Sequence, residues 1–266
     1  MIDAFADAAF RGNPACVVEP FDIWPDDEFL TKLAMENNQA ETAYLLRMDG
    51  ADRFKLRWFT PVCEVLLCGH ATLASAHMLF HELGCDAGVL FFETLSGTLT
   101  VERGEGGRLE MDFPAYTPQA IAISDEVRQV LGVTPVALYG GPATIALLDS
   151  EQTVRDCVPD LSKLTDHGAA VYAERHVIIT ALADAGKPYE VVSRFFAPGI
   201  GIDEDPATGS MHCMLPAIYR TLTGRTKLDY YQAHPRRGAH IQAELIGDRV
   251  KLRGEAVTVA KSELYL

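Results

Sequence analysis

Apolar positions along the chain follow two spacings, and the breaks between them carry proline, glycine or asparagine. Phe10-Arg11-Gly12-Asn13-Pro14 reads as a turn, followed by the short apolar strand Ala15-Cys16-Val17-Val18. Pro25 and Asp26 open a helix over Asp27 to Glu36, where Phe29, Leu30, Leu33 and Ala34 recur at helical spacing, and Asn37-Asn38 stops it. Glu41 to Leu46 and Phe54 to Phe59 are strands, the first with a carboxylate at its mouth and the second halted by Pro61. A helix follows Cys68-Gly69-His70 and runs to Leu83, with Gly84 as its C-terminal cap. Val89 to Val101 forms a hairpin turning at Ser96-Gly97, and Arg108 to Phe113 a strand ending at Pro114.

The linker Pro114 to Pro118 interrupts this pattern, which sets the expected lobes at 1–116 and 117–266, the last strand being able to pack back on the first lobe. Beyond it, Ser124 caps a helix to Leu131, strand residues flank Gly140-Gly141-Pro142, and Ser150 starts a helix toward Val158. Strands are expected at Ala169 to Tyr172, His176 to Leu182 and Tyr189 to Phe196. Asp205-Pro206-Ala207-Thr208-Gly209-Ser210 then leads into a helix from Met211 to Tyr219, and Tyr230 to Leu264 supplies several strands with turns at Gly238 and Gly247.

The second half repeats the first. Arg57-Trp58-Phe59-Thr60-Pro61 matches Arg194-Phe195-Phe196-Ala197-Pro198 at an offset of 137, and Cys68-Gly69-His70 matches Thr208-Gly209-Ser210 at 140. Asn13-Pro14-Ala15-Cys16-Val17 matches Gly141-Pro142-Ala143-Thr144-Ile145 at 128. Gly107-Arg108-Leu109 resembles Gly247-Asp248-Arg249-Val250 at 140 to 141, and four such matches in one order imply two similar lobes, each placing a helix start, Gly69 or Gly209, at an equivalent point. A cleft flanked by two helix starts can hold a carboxylate through backbone N–H groups, without Lys or Arg.

With 266 residues and 48% hydrophobic content the chain can bury a sizeable core. A net charge of −14 argues against a nucleic-acid or anionic-membrane surface, so any positive environment for an anionic substrate must be local. No apolar run reaches the length of a membrane span, and the N-terminus carries acids rather than a basic leader, which makes the cytoplasm the default compartment. The six cysteines show no C-x-x-C spacing, so neither a metal site nor a disulfide scaffold is expected, and only Cys68 adjoins a candidate site.

Candidate chemistry lies where the two copies differ. His70 stands opposite Ser210 in the repeat and Cys68 opposite Thr208, while Glu41 falls against Arg175 in the approximate alignment of 40–44 with 174–178. A single unduplicated acid suits a general base that takes a proton from one carbon and returns it elsewhere, with Asp205 orienting the substrate or sharing its proton. Each residue also has an ordinary reading. Glu41 is a solvated strand-edge acid, His70 a helix-start residue bonded to a carbonyl, Asp205 a turn and capping acid, and Ser210 a first-turn residue outside any G-x-S-x-G elbow, which leaves a serine hydrolase weakly supported. Cys68 at a helix start has a favoured thiolate, yet position 208 holds no second thiol.

Gly12-Asn13-Pro14-Ala15, Glu41-Thr42-Ala43, Phe59-Thr60-Pro61, Leu67-Cys68-Gly69-His70-Ala71-Thr72, Phe196-Ala197-Pro198-Gly199 and Glu204 to Ser210 together resemble the PhzF-like family of phenazine-biosynthesis isomerases, from about Phe5 to Thr258. The resemblance implies an α+β, diaminopimelate-epimerase-like fold of two pseudo-symmetric lobes, each a curved mixed sheet around a central helix, with the active site between them. It implies a cofactor-free, metal-free proton transfer on a small carboxylic acid, with Glu41 as the acid/base and His70 and Asp205 as polar partners. Cys68, Gly69, Gly209 and Ser210 become the substrate cradle, and the assembly a homodimer. Cys68 and Ala71 depart from the pattern around Gly-His in the phenazine enzyme, so its substrate is not carried over. The alternative from another class is a non-catalytic small-carboxylate-binding protein of the same fold.

Overall fold

The chain's computed structural model describes residues 1–165, 176–200 and 202–265; the strand expected at Ala169 to Tyr172 lies outside them. Two compact units divide the chain, Met1–Phe113 with Lys251–Leu266, and Pro114–Val250. The first unit takes in the last segment, and the second begins at Pro114.

In the first unit the elements are β1 (Ile2–Ala4), β2 (Asn13–Val17), α1 (Asp27–Asn37), β3 (Glu41–Arg47), β4 (Arg53–Phe59), β5 (Glu64–Val65), α2 (Gly69–His77), β6 (Val89–Thr94), β7 (Gly97–Arg103) and β8 (Leu109–Pro114). α1 forms where its signals stand. Asp26 accepts the Phe29 N–H at 2.8 Å, Asp27 and Glu28 complement the first turn, and Asn38 ends the helix in the left-handed region. Its apolar face, Leu30, Leu33 and Ala34, packs on Tyr44 and Phe59 of the sheet.

α2 is unlike α1, because every residue from His70 to Ala76 is buried. It packs against β1, β2 and β3, and only a helix without a polar face tolerates such a position. Its sequence, Gly-His-Ala-Thr-Leu-Ala-Ser-Ala-His, is built from small side chains, and Thr72 and Ser75 return their hydroxyl protons to the carbonyls of Cys68 and Ala71 at 2.6 and 2.7 Å. The helix expected to continue to Leu83 changes at Met78 into a single π-helical turn, Met78–Glu82, which buries three successive side chains, Met78, Leu79 and Phe80.

The second unit contains β9 (Gln119–Ile121), α3 (Asp125–Leu131), β10 (Ala137–Gly140), β11 (Thr144–Leu147), α4 (Glu151–Asp156), α5 (Leu161–Thr165), β12 (Val177–Leu182), β13 (Val191–Ala197), β14 (Ile202–Asp205), α6 (Leu215–Thr223), β15 (Lys227–Gln232) and β16 (Ala239–Ile246). β17 (Arg249–Gly254) and β18 (Ala256–Thr258) then follow, and β18 pairs with β1 in the first unit.

Strand pairing reproduces the sequence repeat. β1–β2 and β10–β11 are antiparallel, β2–β3 and β11–β12 parallel, β3–β4 and β12–β13 antiparallel. β4 and β13 then each pair with a short antiparallel strand at one end and a parallel strand at the other. The same ion pair recurs in both units. The Arg57 guanidinium donates to both Glu64 oxygens at 2.7 Å, and the Arg194 guanidinium to both Glu204 oxygens at 2.7 and 2.8 Å.

Two sequence expectations change. Ala15 lies opposite Glu41, and Thr144 opposite Val177; continuing that register puts His176, not Arg175, at the place equivalent to Glu41. The helix expected from Met211 to Tyr219 is a short 3-10 turn, Met211–Cys213, followed by α6 from Leu215. Pro216 explains the break. It has no N–H to give to a preceding carbonyl, and it is tolerated only in the first turn of a new helix.

Gly12 sits at φ +60°, where an added Cβ would lie 2.1 Å from the Ala4 carbonyl oxygen. We predict that Gly12→Ala destabilises the fold by about 3 kcal/mol, read from urea unfolding midpoints at constant m-value.

Candidate active site

β3 begins with Glu41, α2 begins at Gly69, and β2 begins with Asn13; these three starts converge in the first unit. The Glu41 carboxylate and His70 Nε2 are 3.2 Å apart, with side chains only 12% and 7% exposed. Their separation is that of an ion pair. On its other nitrogen, Nδ1, His70 meets the Asn13 side-chain amide at 3.2 Å and Cys68 Sγ at 3.5 Å. Cys68 itself is the residue before α2 and gives it no side-chain cap, so the first-turn N–H groups keep their capacity for an anion.

Asp205, Thr208, Gly209 and Ser210 lie together on one loop of the second unit. Asp205 ends β14 and is buried, as are Thr208 and Gly209, whereas Ser210 is exposed at the edge of the 3-10 turn. The Thr208 hydroxyl is hydrogen-bonded to the Asp205 carboxylate. His212 Nδ1–H donates to the Thr208 carbonyl at 2.8 Å, the counterpart of the Thr72-to-Cys68 bond in α2. Gly209 was expected at a helix start; here it precedes a single 3-10 turn instead, for the reason Pro216 supplies.

With this geometry in view, residues 2–262 match the family model described as phenazine biosynthesis-like protein. The chain belongs to that family. It is 42% identical over 266 residues to an uncharacterized isomerase of Pseudomonas aeruginosa, covering 100% of this chain and 97% of that one. It is similar to the crystal structure of a PhzF-family phenazine biosynthesis protein of Enterococcus faecalis, with a TM-score of 0.92, 37% identity, and coverage of 100% and 97%. A probable proline racemase of Agrobacterium radiobacter, 14% identical with a TM-score of 0.59 over 100% and 92% of the chains, shares the fold alone. The fold is therefore the mixed α+β architecture of PhzF and epimerase-like proteins, and an activity of the isomerase and epimerase class is supported in general terms.

Within this family member the electrostatics of the first-unit cluster follow from burial. Burial and the Glu41 charge push the Cys68 thiol up, so the favoured thiolate expected from the helix start is not realised. Burial also works against a charged His70, but the neighbouring Sγ and the Glu41 carboxylate work for it, and the net direction is upward. His212 goes the other way. Buried without a carboxylate beside it, it falls to about 4 and stays neutral.

Glu41, Cys68 and His70 also bring one ligand atom each within 4.8 Å of one another, and such residue types suit zinc. A single ion could take one nitrogen of His70 together with Sγ and a carboxylate oxygen, three donors that leave a fourth position open.

The sequence reading missed Asn13, which it took for part of a turn, and Gln232 and His212 behind the Asp205 loop. Asn13 carried a signal, since it stands inside the Gly12-Asn13-Pro14-Ala15 motif; Gln232 carried none.

A raised histidine contributes stability that is complete below its unfolded value of 6.5 and fades as pH rises through its folded one. We predict that the His70 ring protons titrate with a midpoint above 6.5 by NMR, and that Glu41→Gln lowers this midpoint. A wild-type midpoint at or below 6.5 removes the Glu41–His70 ion pair.

Proposed function

We propose that this protein is a cofactor-independent isomerase or epimerase that moves a proton between carbon positions of a small carboxylate, with Glu41 as the acid/base. The observation that carries this reading is the nearly enclosed Glu41–His70 pair, a single carboxylate in a scaffold that is otherwise duplicated. Membership of a family with relatives named isomerases supports the same class.

The step is balanced without any other reactant. As a carboxylate, Glu41 takes the proton from a carbon next to the substrate's activating group, and the electron pair stays with the substrate as a delocalised anion. As a carboxylic acid, it returns the proton to the other face or to a conjugated carbon. His70 places a cationic N–H beside the negative charge that moves between enzyme and substrate. The uncapped amides of α2 hold the substrate carboxylate, and Cys68, a thiol near neutral pH, packs against His70 without attacking. Asp205, Gly209 and Ser210 are assigned to substrate orientation on the strength of the sequence repeat and family motif.

A screen of small carboxylic acids in deuterated water, read by mass and NMR, tests the proposal. The substrate gains solvent deuterium with the wild type; Glu41→Gln lowers that rate at least about 100-fold, with the melting temperature within about 2 °C. Unchanged exchange in Glu41→Gln rejects the assignment. A ligand that raises stability by about 2.7 kcal/mol at one hundred times its dissociation constant, yet never exchanges, points instead to a binding protein.

A further inference from the structure

Gln232, the last residue of β15, is wholly buried, and its side chain is spent on the Asp205 loop. Three contacts define it. The Thr208 backbone nitrogen is 2.7 Å from Oε1, the Asp205 carbonyl is 2.7 Å from Nε2, and Thr208 Oγ1 is 3.1 Å from Nε2.

Hydrogen accounting fixes every orientation in this group. A backbone N–H can only donate, so the Gln232 atom facing Thr208 N is the oxygen. The amide nitrogen therefore gives one proton to the Asp205 carbonyl and the other to Thr208 Oγ1. With that lone pair occupied, the hydroxyl sends its single proton to the Asp205 carboxylate, which it contacts. The direction runs one way, from Gln232 through Thr208 to Asp205.

The other unit shows why such a clamp is needed. Between matched positions the loop spans Trp58 to Val65 in one unit and Phe195 to Asp205 in the other, three residues longer. At the place equivalent to Gln232 stands Thr94, whose hydroxyl is used in its own hairpin on the Gly97 carbonyl at 2.7 Å. The short loop is held by the Thr72 bond and by Ser96, whose hydroxyl donates to the Leu66 carbonyl at 2.7 Å; the long one has the equivalent His212 bond and the three contacts of Gln232.

We propose that Gln232 is a positioning residue that acts through Thr208, polarising its hydroxyl toward Asp205 and fixing the Asp205–Ser210 loop. The functional meaning of this relay rests on Asp205 belonging to the site; its existence does not. Because a polarised donor strengthens the bond it makes, Gln232 sets the electronic state of a carboxylate that it does not touch.

The test needs no substrate. Protein labelled with ¹³C-aspartate is compared at one fixed pH as wild type, Gln232→Met, Thr208→Val and the double variant, with the Asp205 carboxyl signal assigned by Asp205→Asn. Both single variants are expected to move that signal in the same direction, and Gln232→Met to add nothing in the Thr208→Val background. Thr208→Ser, which keeps the hydroxyl, should restore the wild-type position. In Gln232→Met the Thr208 amide should exchange with solvent at least about tenfold faster, the loss of one buried hydrogen bond. Additive shifts, or an Asp205 signal unmoved by Gln232→Met, overturn the relay. Should Gln232→Met fail to fold, Gln232→Glu replaces it. That variant keeps an acceptor for the Thr208 N–H but lacks the amide donors, and a carboxyl signal unmoved in it overturns the relay equally.

Discussion

A helix buried on every side must be made of small residues, and that constraint governs the first unit. α2 can press against β1, β2 and β3 because Gly69, Ala71, Ala74 and Ala76 let the strands come close. Its start is then held where β2 and β3 begin, which sets His70 beside Asn13, Glu41 and Cys68. Gly12 serves the same end, because its left-handed backbone lets the chain pass close to Ala4 and enter β2 at Asn13.

Burial then decides what each titratable group can do. Cys68, His70 and His212 all lie out of solvent, yet their directions differ: the thiol is pushed up by burial and a neighbouring carboxylate, His70 is carried up by its charged neighbours against its burial, and His212, with no carboxylate, goes down. Proximity to a helix start is a weaker influence than the loss of water. Cys68 and Glu41 beside His70, and neither beside His212, thereby separate two imidazoles at equal burial.

The two units share a frame and differ in filling. The bidentate Arg57–Glu64 and Arg194–Glu204 pairs tie the same strand ends in both, and the register of each strand follows the same plan. Where Leu45 faces Leu56 in one sheet, Thr180 faces Ser193 in the other, and Phe92 corresponds to Tyr230. The polar interior of the second unit reaches the Asp205 loop through Gln232 and His212, whereas in the first unit the buried His70 and the adjoining Glu41 stand at the starts of α2 and β3. Specialisation within a duplicated scaffold here takes the form of moving polarity from one place to another.

Much of this was written in local sequence. Asp26 and Asn38 bound α1 through capping chemistry that acts within four residues, and the β6–β7 hairpin turns at Leu95-Ser96, one residue before the expected Ser96-Gly97. The repeat was legible because strand order and loop motifs are linear properties of a chain. Glu41 and His70 were readable as candidates through the family motifs. Tertiary structure alone decided their partners, because Asn13 and His70 are 57 residues apart and Gln232 and Thr208 are 24 apart, distances over which periodicity carries no information. It also decided the state of Cys68, since desolvation depends on what surrounds a side chain in space. The counterpart of Glu41 was misplaced by one residue for a related reason: approximate alignment tolerates such a slip, but a hydrogen-bonded strand register does not.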